Sequence, residues 1–363
     1  MTTTLPAPVE LFHRDLACGA EFAADVLPDR STVAIAFRLL SGAVDDPPDR
    51  GGQATIVEHT LSKGTRNFDG KALADAFDAC GIQWGTSTGR QSMVVRALCL
   101  PEFVERAIDL VAEMLCRPTF PDEAVSVALE LAQQDLKQLE DDPGDLVRVM
   151  IQRLTLGPVL GRHAGGDAES LTNISPASVR EHWKNCYHAG RLQCAVAGAV
   201  DVERLAAAIE RNFADFGSSA RAGRAAIPIH FESQRQHRMK DLKQQYIAIT
   251  MLGTPRDHPD FATEQVLIGV LAGGMSGRLF TEVREKQGLV YWVGAWHEQP
   301  RGVGVIHLGA STTPERCNKT YQTLLREIER IGEDLTIDET ERAKNQIIAH
   351  WKTEDDLTRA RAG

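Results

Sequence analysis

Glu58 and His59 stand side by side in GGQATIVEHTLSKGT, residues 51–65, and Thr55 comes four positions before the histidine. On a helix, side chains four apart stack over successive turns, so a pair at 55 and 59 could grip one ion. In an H-x-x-E-H string the two histidines bind zinc and the glutamate activates the zinc-bound water. Here the string is T-I-V-E-H. The base and one imidazole are present, and a neutral hydroxyl stands where the second imidazole would be. Taken alone, a Glu-His pair on a helix reads as ordinary surface charge.

Other candidates are thinner. His182 and His188 flank WKNCY, but no carboxylate or cysteine spacing makes a metal site there, so packing or interface roles are expected. LAGGMSGRL (271–279) resembles a phosphate loop only in its glycines. It lacks the G-x-x-x-x-G-K-[ST] spacing and the lysine, which excludes that reading.

The elements that must position these residues come from a chain of 363 residues, long enough for two domains. Apolar residues make up 43% and charged residues 25%, the balance of a globular protein. A formal net charge of −10 argues against non-specific binding to nucleic acid or anionic membrane. No apolar run is long enough to span a bilayer. The opening MTTTLPAPVELFHRD has neither the basic start nor the apolar core of a signal peptide, and a cytoplasmic protein is expected. The seven cysteines form no C-x-x-C pair and lie mostly in apolar runs, as buried free thiols would.

The element pattern occurs twice. In the first half a strand at 32–42 leads through DDPPDRGG to a helix at 53–62. A helix at 70–81, strands IQWGTSTG and SMVVRALCL, a helix opened by Pro101 and a long helix from PDEAV to about residue 140 follow. The second half gives the strand YIAITMLGT (246–254), the helices FATEQVLIGVLAG and RLFTEVREKQG, and the strands LVYWVGAWHE and VGVIHLGAS. The helices TPERCNKTYQTLLREIERIG and IDETERAKNQIIAHW close it. Gly81 matches Gly288, Pro101 matches Pro314 and Asp122 matches Asp338, at offsets of 207, 213 and 216. The expectation is an α+β protein of two homologous α/β sandwich domains, each an antiparallel-type sheet covered by helices. The first spans 1–216, the second 233–363, and a Gly/Ala/Ser-rich linker, 217–232, joins them. The first half also has the helix SPASVREHWKNCY, the strand LQCAVAGAV and the helix DVERLAAAIERNF. The second half has no matching strand and helix. The second domain is therefore expected to be cut short, or completed by another chain, since a missing central strand leaves its neighbours with unpaired backbone groups.

With these residues in hand, the chain resembles the pitrilysin/insulinase family of inverted-motif zinc metallopeptidases. The matching stretches are GG…TIVEHTLSKGT against the pattern G-x-x-H-x-x-E-H-x-x-F-K-G-T, RPTFPDEAV, LEDDP, and above all GGMSGRLFTEVREKQGLVYWV (273–293). The resemblance runs from about residue 20 to 357 and agrees with the repeat, because family members are built from two such domains. It implies that the first zinc histidine falls on Thr55, the catalytic glutamate on Glu58 and the second histidine on His59. The distal zinc glutamate falls on Gln134, counted back from LEDDP. Two of three ligand positions are thereby substituted, and Glu58 becomes a vestigial general base. The family's Arg and Tyr, which bind substrate backbone carbonyls beside the scissile bond, fall on Arg284 and Tyr291 and are intact. The family's substrate-binding edge strand corresponds to GIQWGTSTGRQSM, with Gly85 where members often have Asn.

The resemblance thus implies a degenerate, Arg/Tyr-bearing subunit. It would bind peptide and complement a zinc-bearing homologous partner in a heterodimer, or pair with a second copy of itself. Zinc remains possible, but its absence from this chain is the expectation. Two other readings stand beside this one: an active zinc endopeptidase with its ligands rebuilt around His59 and Asp135, and a non-enzymatic peptide-binding or assembly protein.

Overall fold

The computed structural model describes residues 11–218, 220, 227–300, 302–355 and 357–362. In chain order the elements are β1 (Leu11–Asp15), β2 (Glu21–Val26), β3 (Val33–Leu39), α1 (Gln53–Leu61), α2 (Gly70–Asp78), β4 (Gln83–Thr88), β5 (Met93–Cys99), α3 (Val104–Cys116) and α4 (Asp122–Asp141). Next come α5 (Pro143–Leu160), α6 (Ala168–Thr172), α7 (Pro176–Cys186), β6 (Leu192–Gly198) and α8 (Val202–Phe213). The later elements are β7 (Gln245–Gly253), α9 (Phe261–Ala272), β8 (Val290–Glu298), β9 (Gly304–Thr312), α10 (Cys317–Arg330), α11 (Ile337–Asp355) and α12 (Thr358–Arg361).

The described residues of Met1–Leu136, His163–Arg224 and Glu354–Gly363 form one compact unit, and those of Lys137–Arg162 and Ala225–Thr353 form a second. These units do not coincide with the two sequence halves: α5, from the first half, belongs to the second unit, and α12, from the second half, to the first. Within the expected linker, residues 219 and 221–226 lie outside the described residues.

In the first unit six strands are ordered β1-β2-β6-β3-β5-β4. β3 runs antiparallel to both β6 and β5. Buried on both faces, it reads VAIAFRL, apolar at all but one position. β4, QWGTST, is an edge strand, and its residues alternate between exposed and half-buried. Fully buried Phe22, Phe37, Phe77, Phe120 and Phe213 fill the core between sheet and helices. Phe37 and Phe213 bring their rings to 5.8 Å. Arg361 of α12 pairs with Asp25 at 2.6 Å on the sheet.

In the second unit the order β7-β9-β8 repeats β3-β5-β4 of the first. The matched landmarks share backbone geometry. Gly81 and Gly288 both take left-handed φ, +61° and +58°, where each chain turns from a helix into a strand. Pro101 and Pro314 each open a short 3₁₀ turn before a long helix. Among the described residues β7 pairs only with β9, whereas its counterpart β3 also pairs with β6. Leu271, Leu279, Val283, Leu289, Val290, Leu308 and Leu324 form this unit's core.

Leu279–Lys286, expected as an ordinary helix, is wound with π turns. Buried Arg278 stands at its start and forks onto Glu339 through Nε at 2.7 Å and Nη2 at 2.8 Å, and onto Asp334 through Nη1 at 2.6 Å. Glu339 also accepts from the Thr336 backbone at 3.0 Å, closing a capping box on α11. The Arg278 guanidinium holds the Glu339 carboxyl down at about 2, from an ordinary value of 4.5. A lowered acid stabilises the fold above its unfolded value and loses that contribution as pH falls through its folded one. Stability should therefore decline between pH 4.5 and about 2. In Glu339→Gln, urea titrations across that window should show a shallower dependence.

All seven cysteines are free, and burial pushes the Cys99 thiol up to about 11. No helix among the described residues is long and apolar enough to cross a membrane.

Candidate functional site

The helix carrying Glu58 and His59 is fixed at its start by Asp46. The Asp46 carboxylate accepts from the backbone N–H of Gly52 and of Ala54, each at 2.8 Å, and both bonds are buried. Gly52 has φ +94°, and an added Cβ would come within 2.9 Å of the Gly165 carbonyl oxygen, so the second glycine before the helix is required by geometry. Gln53 donates to the Ser178 carbonyl at 2.5 Å and ties α1 to α7. Asp46→Ala would leave two helix-start N–H groups without partners in a dry setting. The expected cost is about 2–4 kcal/mol, read as a lower urea midpoint at unchanged m-value.

On this helix Thr55 donates its hydroxyl to the Ala164 carbonyl at 2.7 Å. Glu58 is only 7% exposed and accepts from the Thr86 hydroxyl, so it is tied to the edge strand β4. His59 Nε2 lies 3.5 Å from Glu58 Oε2. Tyr187 is fully buried nearby with its hydroxyl unpartnered, and burial, reinforced by the Glu58 charge, pushes its phenol up. Gln134 is exposed on α4, as are Glu130 and Asp135. Among the described residues no hydrogen bond joins Gln134 to Glu58 or His59, and no three His, Cys, Asp or Glu side chains stand together as a set that could hold a metal.

The expected residues therefore divide. Glu58, His59 and Thr55 share α1, and Gln134 stands on another helix, α4. Zinc wants about four N, S or O donors, with anionic or imidazole groups supplying most of them. One imidazole, a hydroxyl already donated to a carbonyl and an amide on an exposed face do not fit that shell. His182 is buried, and burial lowers its imidazole to about 4, so it is a neutral packing group. Thr86 stands in the edge strand that the sequence singles out, but its bond to Glu58 is made by the tertiary fold, and no motif points to Tyr187.

In the second unit Arg284 and Tyr291 come together. Arg284 Cζ lies 5.0 Å from the Phe280 ring centre and 5.7 Å from that of Tyr291. Both residues are exposed, Tyr291 by 77%. The π turns carry Arg284, the left-handed Gly288 reverses the chain, and β8 brings Tyr291 back beside the guanidinium. Flanking rings hold the fork in place while its N–H groups stay free to meet solvent or ligand. A guanidinium and a phenol so placed can donate together to a carbonyl oxygen and to the negative charge that develops on it.

The family description "Insulinase (Peptidase family M16)" matches residues 22–162, and "Peptidase M16 inactive domain" matches 173–347. An uncharacterized zinc protease of Rickettsia felis is 27% identical over 325 residues, 88% of this chain and 78% of that protein. Another from Streptomyces coelicolor is 28% identical over 340 residues, 91% of this chain and 74% of that one. Among solved structures, a peptidase M16 inactive domain from Pseudomonas fluorescens superposes with a TM-score of 0.84 at 22% identity, covering 94% of this chain and 84% of that one. A protease from Helicobacter pylori superposes at 0.87 and 14% identity, covering 98% and 88%. At such identities the superpositions establish the fold alone, a mixed α/β architecture with two related units. Two adjoining matches to one family, over nearly the whole chain, identify it: the protein belongs to the insulinase family of metallopeptidases, peptidase family M16.

Proposed function

We propose that this chain is a zinc-deficient subunit that binds peptide and completes the active site of a zinc-bearing homologous partner. One contrast carries the reading. The first ligand position is Thr55, whose hydroxyl is donated to Ala164, whereas Arg284 and Tyr291 are kept, adjacent and exposed. In this reading Arg284 and Tyr291 orient a peptide carbonyl and stabilise its developing oxyanion, and the partner supplies the hydrolytic chemistry. Edge strand β4 offers main-chain hydrogen bonds to an extended peptide. Glu58, bonded to Thr86, serves to hold that strand against α1. A cytoplasmic setting accords with seven free thiols.

The test combines the purified chain with the zinc-motif-bearing M16 chain of the same cell and follows cleavage of a fluorogenic peptide. Neither chain alone should match the pair, and a chelator should abolish the pair's activity. Chelator-sensitive cleavage by this chain alone would overturn the proposal in favour of a rebuilt zinc site.

A further inference from the structure

The short helix α12 lies on the open face of the first unit's sheet, away from the helix-covered core. Alternation along β3 assigns the faces. Val33, Ile35 and Phe37 belong to the main core, whereas Ala34 belongs to a separate cluster with Ala197 of β6 and Ala362, the residue after α12. Strand register puts Ala34 in one row across five strands, Gln83–Leu98–Ala34–Ala197–Asp25, from edge strand β4 to β2. The α12 segment follows this row. Arg359 donates to Gln83 Oε1 at 3.3 Å, Ala362 packs on Ala34 and Ala197, and Arg361 Nη1 donates to Asp25 Oδ2 at 2.6 Å.

The neighbouring row on that face, Gly85–Arg96–Ala36–Ala195–Ala23, is small-sided apart from Arg96. Its β4 end floors a recess of about 410 Å³ that runs along the edge strand from Gln83 to Ser87. Arg359 and Ala362 line the same recess. An extended peptide added to β4 turns alternate side chains toward this face. The α12 segment therefore borders the ground such a peptide would use.

The segment is held loosely. A helix of four residues has no stability of its own and depends on what it touches. Leu357, just before it, is 58% exposed and adds no apolar anchor. Alanine against alanine buries little area and leaves no interlocking side chains. The strongest contact is the ion pair of Arg361 with Asp25, and it is incomplete. Asp25 is buried, and its Oδ1 has no hydrogen-bond partner among the described residues. A buried carboxylate oxygen without a donor offsets much of what the pair contributes, and release returns that carboxylate to water. Arg361 Nε donates to the Asp355 carbonyl at 2.6 Å, a bond within the segment itself that can travel with it. Lifting α12 breaks no strand ladder and opens no part of the main core.

We propose that α12 is an autoinhibitory strap, which docks along the row from Gln83 to Asp25 and must lift before an extended peptide can occupy the face beside β4. The proposal rests on the peptide-binding reading of β4 and adds a gate to it. Strap and peptide compete for one surface, so whatever holds the strap down weakens the peptide. A strap docked about nine-tenths of the time lowers apparent peptide affinity about tenfold.

Fluorescence anisotropy on the whole chain tests this with a labelled, capped, unstructured peptide that contains no Lys or Arg. Removal of residues 357–363 should tighten binding about tenfold. Arg361→Ala and Asp25→Asn, which cut the anchor and leave β4 untouched, should move affinity most of the way. Leu357→Ala, at an exposed side chain of the same segment, should stay at the wild-type value. All four should melt close to the wild type, since no residue of the main core changes. A second readout follows the strap itself: brief trypsin digestion of the wild type, read by mass spectrometry, should cut faster after Arg359 and Arg361 when the peptide is present. Equal affinity in the wild type, Arg361→Ala and the deletion, or cleavage after Arg359 that saturating peptide does not speed, overturns the strap and leaves the peptide-binding reading intact. Failure of every form, the deletion included, to bind the peptide overturns both.

Discussion

Arg284→Ala is expected to lower kcat of the assembled pair by about a hundredfold, the scale on which loss of one preorganised oxyanion donor acts. The reasoning starts from what Arg284 touches. Its guanidinium contacts the rings of Phe280 and Tyr291 and is otherwise exposed, so truncation should leave the melting temperature nearly unchanged. A group that strengthens its hold as charge develops acts on kcat more than on KM. Tyr291→Phe keeps the ring that packs against the guanidinium and removes only the hydroxyl, so a smaller loss in kcat is expected, on the order of tenfold. Steady-state kinetics on the pair, with each variant in this chain alone, separates the two parameters. Unchanged rates for both variants would mean the pair is surface decoration, and the chain would then be an assembly protein.

Phe37→Ala is expected to cost about 3–5 kcal/mol, a large part of the stability of an ordinary domain. Phe37 lies on β3, between β6 and β5, is fully buried and meets the Phe213 ring at 5.8 Å. No neighbouring strand can shift to fill the hole without breaking its ladder, so the cavity term adds to the lost transfer energy. Urea unfolding should show the loss in the midpoint of the transition. A change under about 1 kcal/mol would show a core that collapses freely around the site.

Much of this was legible in the residues. VAIAFRL is apolar through and through because its strand is covered on both faces, and α3 and α8 announce themselves by three-and-four spacing. The repeat was readable because matched glycines and prolines do the same backbone work twice, as the shared left-handed turn at Gly81 and Gly288 demonstrates. β1 leaves little signal in the sequence: LFHRD is short, half polar and at the sheet edge, where burial imposes little pattern. α5 is hard to see because LGPVL breaks its pattern. Its helical run is in fact interrupted there, with Gly157 at φ +74° and Pro158 beyond it.

The sites divide along the same line. Thr55, Glu58 and His59 follow from their spacing on one helix, whereas Arg284 and Tyr291 come from the resemblance carried by the stretch around them. Contacts made by distant segments follow from neither. The hydroxyl of Thr86 on Glu58, the carbonyl of Ala164 under Thr55 and the fork of Arg278 across Asp334 and Glu339 all need the tertiary fold. The bulge at Tyr291 is the instructive case, since two adjacent aromatics on one face contradict the period that identifies a strand.

The most direct test of the central claim is the zinc content of the purified chain, by elemental analysis after dialysis against a weak chelator. Expected is far less than about one ion per chain, because Thr55, His59 and Gln134 do not make up a zinc shell. About one zinc per chain, lost when His59 is replaced by Ala, would contradict it and make this chain a metallopeptidase with a rebuilt site.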